Sequence, residues 1–103
     1  MSKHKSIQKP TPGRMVLVSF LSKDGDVVSR PAVVTLAHGS LVNATVFTDG
    51  GNDVGARLDI STVHGMDARV LSAPHNEKGE IAEGQKASWR YPDISKDMVD
   101  VDA

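Results

Sequence analysis

The chain has 103 residues, 12 of them Lys or Arg and 13 Asp or Glu, for a formal net charge of −1, and it contains no cysteine. That length holds one domain with a modest core. The even charge argues against a protein that coats nucleic acid, which carries a basic excess, and the missing thiols exclude disulfides, thiolate metal sites and cysteine nucleophiles.

The N-terminal stretch MSKHKSIQKPTPGR has no apolar h-region, so no secretory signal is expected. No apolar run approaches the ~18 residues that span a bilayer as a helix. Lys3, Lys5, Lys9 and Arg14 lie in the first fourteen residues without an acid. Residues 93–103 carry Asp93, Asp97, Asp100 and Asp102 against Lys96. Both ends are short and polar, so a flexible basic arm over 1–11 and a flexible acidic tail over 93–103 are expected around a domain over 12–92.

Within that domain, Arg14 to Leu21 is rich in Val, Phe and Leu and alternates only partly, which predicts a strand. The Asp24-Gly25 pair between apolar runs predicts a hairpin, because glycine accepts positive φ. Val27 to Leu36 returns as the second strand. Pro31 has no N–H to donate and is expected at an edge position or a bulge. Val33 and Val34 are both apolar, so one of them is expected to face a second packing surface. After a turn at His38-Gly39-Ser40, Leu41 to Thr48 predicts a third strand, with Val42, Ala44, Val46 and Thr48 on one face.

Asp49-Gly50-Gly51-Asn52-Asp53 reads as a tight, flexible turn. Ala56 to His64 predicts a fourth strand, and Ala68 to Ser72 continues the sheet. Ala73 to Gly84, with Pro74, Gly79 and Gly84, reads as a surface loop. Lys86 to Tyr91 is the last short strand, ended by Pro92. No segment places apolar residues at helical spacing over three turns. Four or five short strands predict a mainly β domain, a small barrel or sandwich, and a barrel removes the exposed edges.

The ordered motifs PGRMVLV, RPAVVT after the Asp-Gly hairpin, VNATVFTDGGND, STVHG and SWRYP resemble a family of small proteins encoded by tailed bacteriophages and prophages. That family runs P-G-R-x-V, R-P-A-x-V, V-N-x-x-V-F-x-D-G, S-V and W-x-W-P in the same order. The likeness covers Pro12 to Pro92. Tyr91 stands where the family often has a second Trp, and the loop from Ala73 to Gly84 is this chain's own. The resemblance implies a phage origin and a compact SH3-like β-barrel of about five strands. It implies no particular activity, since small barrels host many unrelated sites.

Candidate chemistry is sparse. His4, His38, His64 and His75 form no zinc-protease pattern, and no Gly-x-Ser-x-Gly elbow exists. They read as exposed turn residues, against a metal site built from His64 with Asp67 or His75. The 49–53 turn lacks the oxygen ligands of a calcium loop. It reads as a plain β-turn, or as glycines that let backbone approach a ligand or a neighbouring subunit. Neither a catalytic residue, a metal nor a cofactor is expected.

Ser88 to Pro92 holds two of the four aromatic residues. On a strand, Trp89 and Tyr91 share one face and Arg90 takes the other. Trp89 then plugs the barrel, or offers a stacking platform for a nucleobase while Arg14, Arg30, Arg57, Arg69 or Arg90 meets phosphate, or anchors a protein interface. The candidate ligand- or partner-binding set is Trp89, Arg90, Tyr91, Arg57, Arg69 and Asn52.

The function expected from these features is that of a phage-encoded, non-enzymatic binding protein in the host cytoplasm. It sequesters a small nucleotide ligand, as a homo-oligomer with shared pockets, or blocks a host protein, in either case as counter-defence. The alternatives are a decoration or connector protein of the virion and a nucleic-acid-binding barrel. No membrane partner is expected.

Overall fold

The computed structural model describes residues 9–61 and 68–92. The expected basic arm up to residue 8, the acidic tail over 93–103, and the His64 and Asp67 of the weighed metal site lie outside the described residues.

The chain forms one strongly curled antiparallel sheet with almost no helix. Its strands are β1 (Met15–Leu21), β2 (Val27–His38), β3 (Leu41–Val46), β4 (Ile60–Ser61), β5 (Ala68–Ala73) and β6 (Ala87–Arg90). The order across the sheet is β4-β5-β3-β2-β1-β6. The expected mainly β, barrel-like domain is therefore present. Five strands carry the sheet, and β4 adds two residues at its edge.

Alternation sets the inner face. Val16, Val18 and Phe20 of β1, Ala32 and Val34 of β2, Val42, Ala44 and Val46 of β3, and Ala68 and Val70 of β5 are buried in one cluster. The β1–β2 hairpin turns through Lys23–Gly25, with Gly25 at φ 91° and the Ser22 hydroxyl accepting the N–H groups of Asp24 and Asp26. The β2–β3 hairpin uses the two residues Gly39 and Ser40 between paired His38 and Leu41. Gly39 has φ 62°, the conformation that a type II′ turn requires at its first position.

Four expectations are corrected. Pro31 lies in the interior strand β2, opposite Leu17 of β1, and the bulge falls instead between Val34 and Leu36. The Pro31 carbonyl accepts the Phe47 N–H at 2.9 Å, so its ring nitrogen points to the side where β3 has already ended. Lacking an N–H, Pro31 cannot return the reciprocal bond to Phe47, and β3 ends at Val46, one residue before it. The fourth strand does not run from Ala56. Arg57 makes a single bridge to Leu21, Leu58 N–H bonds back to the Ala56 carbonyl at 3.1 Å, and pairing with β5 begins only at Ile60. Both Ala56 and Leu58 turn into the core, which alternation along a strand also allows, so the pattern alone did not reveal the kink.

The 49–53 segment is a 3-10 turn over Gly50–Asp53, not a β-turn. Lastly, the stretch after β5 is more than a surface loop. His75 forms a parallel bridge with Trp89. The Trp89 N–H donates to the Pro74 carbonyl and its own carbonyl accepts the Asn76 N–H, each at 2.9 Å. This short run lies against the outer edge of β6 and curls the sheet's two ends together.

Trp89 fixes that closure from the inside as well. It is fully buried, pairs across the ladder with Val18, and donates its indole N–H to the Ser40 carbonyl at 2.8 Å. One residue thus ties β6, β1, the β2–β3 turn and the segment after β5.

Trp89→Ala should therefore destabilise the domain by ~3–5 kcal/mol, a large share of the ~5–10 kcal/mol a small domain has. Trp89→Phe, which strips the Ser40 carbonyl of its donor, should lose about 1–3 kcal/mol. Urea unfolding followed by circular dichroism measures both. Because Trp89 is the sole tryptophan, acrylamide should barely quench native fluorescence; quenching equal to that of the unfolded chain would contradict the burial.

Candidate functional site

The six residues singled out from the sequence separate in the fold. Trp89 belongs to the core, its ring edge-on to His75 at 4.7 Å and to Tyr91 at 5.0 Å. Tyr91 is half-buried, and the Arg14 guanidinium lies 4.7 Å from its ring centre. Asn52 is exposed on the 3-10 turn and donates to the Asp49 carboxylate at 2.8 Å. Arg57 is exposed where it bridges Leu21. Arg69 and Arg90 alone share a surface, the outer face of the sheet.

The geometry removes the stacking platform. A nucleobase stacks on an open π-face, whereas Trp89 has no exposed surface and its N–H is already used. A cavity of about 180 Å³ opens where β5 and β6 part, lined among others by Asp59, Leu71, Gln85 and Lys86. Small-molecule sites generally occupy roughly 300–1,000 Å³. Asp59 is occupied there: it accepts the Leu71 N–H at 2.7 Å and stands 3.7 Å from the Lys86 ammonium. Among the described residues no group of three or more His, Asp or Glu is placed to hold a metal.

Two polar clusters have structural roles. Arg30 points inward beside Val18 and makes a two-pronged pair with Asp53, Nε to Oδ2 at 2.8 Å and Nη2 to Oδ1 at 3.0 Å. Asp53 also accepts the Asp49 N–H at 2.6 Å. The hydrogen bonds from Arg30 hold the Asp53 carboxyl below its ordinary range; burial opposes this, and the Asp49 N–H and the Arg30 charge add to it. The same pair raises Arg30. The second cluster lies on the outer side of β1, β2 and β6. Arg90 Nη1 donates to Ser19 at 2.9 Å and to Ser29 at 3.3 Å, and the two hydroxyls bond each other at 2.9 Å. Ser88 lies opposite Ser19, buried, with no partner for its hydroxyl.

What the sequence reading missed is the outer face itself. Five of the seven large hydrophobics exposed among the described residues lie on it by register, Met15, Val27, Leu36, Leu41 and Ile60; Phe47 follows the last pair of β3, and Leu71 falls in the bulge of β5 beside the cavity. Two adjacent rows follow from the register. Ile60, Arg69, Thr45, Val33 and Met15 pair in succession across the sheet. Phe47, Pro31, Leu17 and Arg90 form the next row. An apolar centre is thereby set between two guanidinium groups, with Phe47 52% and Met15 46% exposed. The signal was legible in part, since β1 and β2 carry apolar residues at both parities, and Val33 is the one that faces outward while Val34 is buried.

A scan against protein-family models and searches of curated proteins and of solved structures return no match to this chain.

Two outcomes follow from the polar clusters. Asp53→Asn should destabilise by about 2–3 kcal/mol at neutral pH, less than a fully buried pair because Arg30 is partly hydrated. A carboxylate held low contributes stability above its unfolded value near 4, and that contribution is lost as pH falls through its folded value. The gap between the two proteins should close in acid; a gap independent of pH would contradict the pairing. Ser88→Ala should be neutral or stabilising by up to ~1 kcal/mol in the same urea assay, since it removes an unpaired buried hydroxyl.

Proposed function

We propose that this chain is a non-enzymatic binding protein that docks on another protein through the outer face of its sheet. One observation carries the reading: most of the large hydrophobics left exposed among the described residues are collected on that face, with Met15, Val33, Leu17, Pro31 and Phe47 side by side. Scattered exposed apolar residues are ordinary on any protein, whereas a contiguous patch marks an interaction site. The backbone of the face is held by hydrogen bonds: Met15, Leu17, Pro31 and Val33 project from paired strands, and the Phe47 N–H donates to the Pro31 carbonyl just past the end of β3. A rigid patch loses little conformational entropy on binding.

The sequence resemblance supplies the biological side of the proposal. A small phage-encoded protein with a docking face acts in the host cytoplasm by covering a surface of a host protein, and blocking a defence factor is the role that fits. The nucleotide version has less support, given the buried Trp89 and the small cavity. The same patch would equally seat a virion neighbour, so the identity of the partner separates host blocking from particle assembly.

The test is quantitative capture from infected and uninfected host cells with the wild-type chain and a Met15→Ser/Phe47→Ser variant, both shown to be folded. The wild type should retain one partner at near-stoichiometric amounts, and the variant should lose it by roughly tenfold or more, as expected for hot-spot side chains. A partner retained equally by both proteins would overturn the docking face. A host protein as partner favours blocking; a capsid or tail protein favours assembly.

A further inference from the structure

After its bridge to Trp89 the chain leaves the sheet at Asn76 and rejoins it at Ala87. No residue over 74–86 belongs to the hydrophobic core, although Ala73 and Ala87 at either end both do. The hydrogen bonds of this excursion are its own. The Gly79 N–H donates to the Asn76 carbonyl at 3.1 Å, and the Lys78 and Glu80 N–H groups donate to the Asn76 side-chain oxygen at 2.9 and 3.2 Å. The Gln85 N–H donates to the Ala82 carbonyl at 3.0 Å. None of these bonds breaks if the excursion moves as a piece. Among the described residues, no hydrogen bond joins 77–86 to the body of the domain. Lys86 stands 3.7 Å from Asp59, with its side chain 61% exposed, and an exposed pair of that length holds little.

What the excursion covers is polar. Gly79 packs on the Arg90 guanidinium and the Ser19 hydroxyl. Ser88, opposite Ser19 and on the same outer side, is 1% exposed, and its hydroxyl has no partner. Uncovering it restores a hydrogen bond to water. At the other root, a cavity of about 180 Å³ separates residues 84–87 from Leu71 and Ala73. Pro74 accounts for that gap. It has no N–H, so the parallel pairing at His75 and Trp89 cannot run on toward Ala87.

From these features we infer that residues 77–86 form a strap that lifts off the outer side of β1 and β6 as a unit, turning on the His75–Trp89 bridge, while the sheet stays folded. A segment with few buried apolar contacts opens at a fraction of the cost of global unfolding. The strap lies at the β6 end of the docking face, where Leu17 and Arg90 pair across the strands. Lifted, it uncovers Ser19, Ser88 and the covered side of Arg90 beside Leu17, and the face widens. That consequence rests on the docking reading; the movement of the strap does not.

The experiment labels the full chain with phenylglyoxal, which closes a ring on both terminal nitrogens of a guanidinium, and follows each arginine by peptide mass spectrometry. Arg90 reports the strap, because its Nη1 is bonded to Ser19 and Ser29 and lies under Gly79. Exposed Arg57 gives the reference rate. Arg90 should label at least about fivefold more slowly than Arg57, and its rate should stay within about twofold in urea below the unfolding transition, since lifting exposes little surface. Gly79→Ala sets a Cβ against Arg90 at a positive φ, and should raise the Arg90 rate about fivefold or more relative to Arg57. Ser88→Ala should lower it about two- to fivefold, because lifting then frees no hydroxyl. An Arg90 rate equal to that of Arg57, or one that climbs with urea in step with unfolding, overturns the strap. So does a rate that either substitution leaves unchanged or moves the opposite way. If these rates hold and the capture experiment fails, the docking role is overturned and the strap stands.

Discussion

The closure of the sheet at Trp89 is the constraint on which the rest of the structure depends. A curled sheet of short strands has two edges, and β6 is one of them, with only four residues. Left open, it would present unpaired N–H and C=O groups. Both backbone groups of Trp89 are instead taken by Pro74 and Asn76, and its indole reaches the far hairpin at Ser40. The ring fills the space between them, with His75 and Tyr91 set edge-on against it. Edge-on contacts suit the ring quadrupoles and orient the cluster as well as filling it. Because one side chain satisfies backbone, hydrogen-bond and packing demands together, the residues around it have few alternative arrangements.

A second fixed point, Arg30 with Asp53, works by position rather than by bulk stability. An inward-facing arginine on β2 would be costly without a partner, since a buried charge must be compensated. The 3-10 turn over Gly50–Asp53 delivers that partner. Within that turn the Asp49 N–H reaches the same carboxylate. Replacing such a pair by apolar residues often leaves stability unchanged or improved, so its contribution here is to fix where the excursion between β3 and β4 returns to the sheet.

Much of this was legible in the residues, and the reasons for the failures differ. β-branched and apolar content marked β1, alternation marked β3, and the Asp-Gly and His-Gly-Ser signals marked the turns on either side of β2. The inward set Val42, Ala44 and Val46 was read in full, with Thr48 falling just past the strand's end. The kink at Ala56–Leu58 was not legible, because a local bond from Leu58 to Ala56 leaves the apolar pattern unchanged. Nor could the ion pair be read, since twenty-three positions separate Arg30 from Asp53 and only the fold brings them together. The candidate site fared worst. Rarity drew attention to Trp89 and Tyr91, and of the roles weighed for Trp89 the barrel plug is the one its burial matches. The aliphatic residues at the second parity of β1 and β2 looked like ordinary strand content, and their meaning emerges only from the register that places them side by side.

The alternation of β6 joins closure and surface. Ala87 and Trp89 face inward and Ser88 and Arg90 outward, so whatever fixes the strand from within also fixes Arg90 without. The same turn that follows the His75 bridge comes back over Arg90 at Gly79. Gly79 has φ 73°, and a Cβ there would stand 2.6 Å from Arg90 Nη1 and 3.0 Å from the Ser19 hydroxyl. Glycine is required by backbone conformation and by the close approach together. Arginine side chains are otherwise among those that lose most rotamer freedom when immobilised. Here Ser19, Ser29 and the turn hold Arg90 in the unbound protein, beside Leu17 and next to the apolar rows. The loss of Arg90 rotamer freedom is thus met once, in folding, when β6 and the turn at Gly79 close around it.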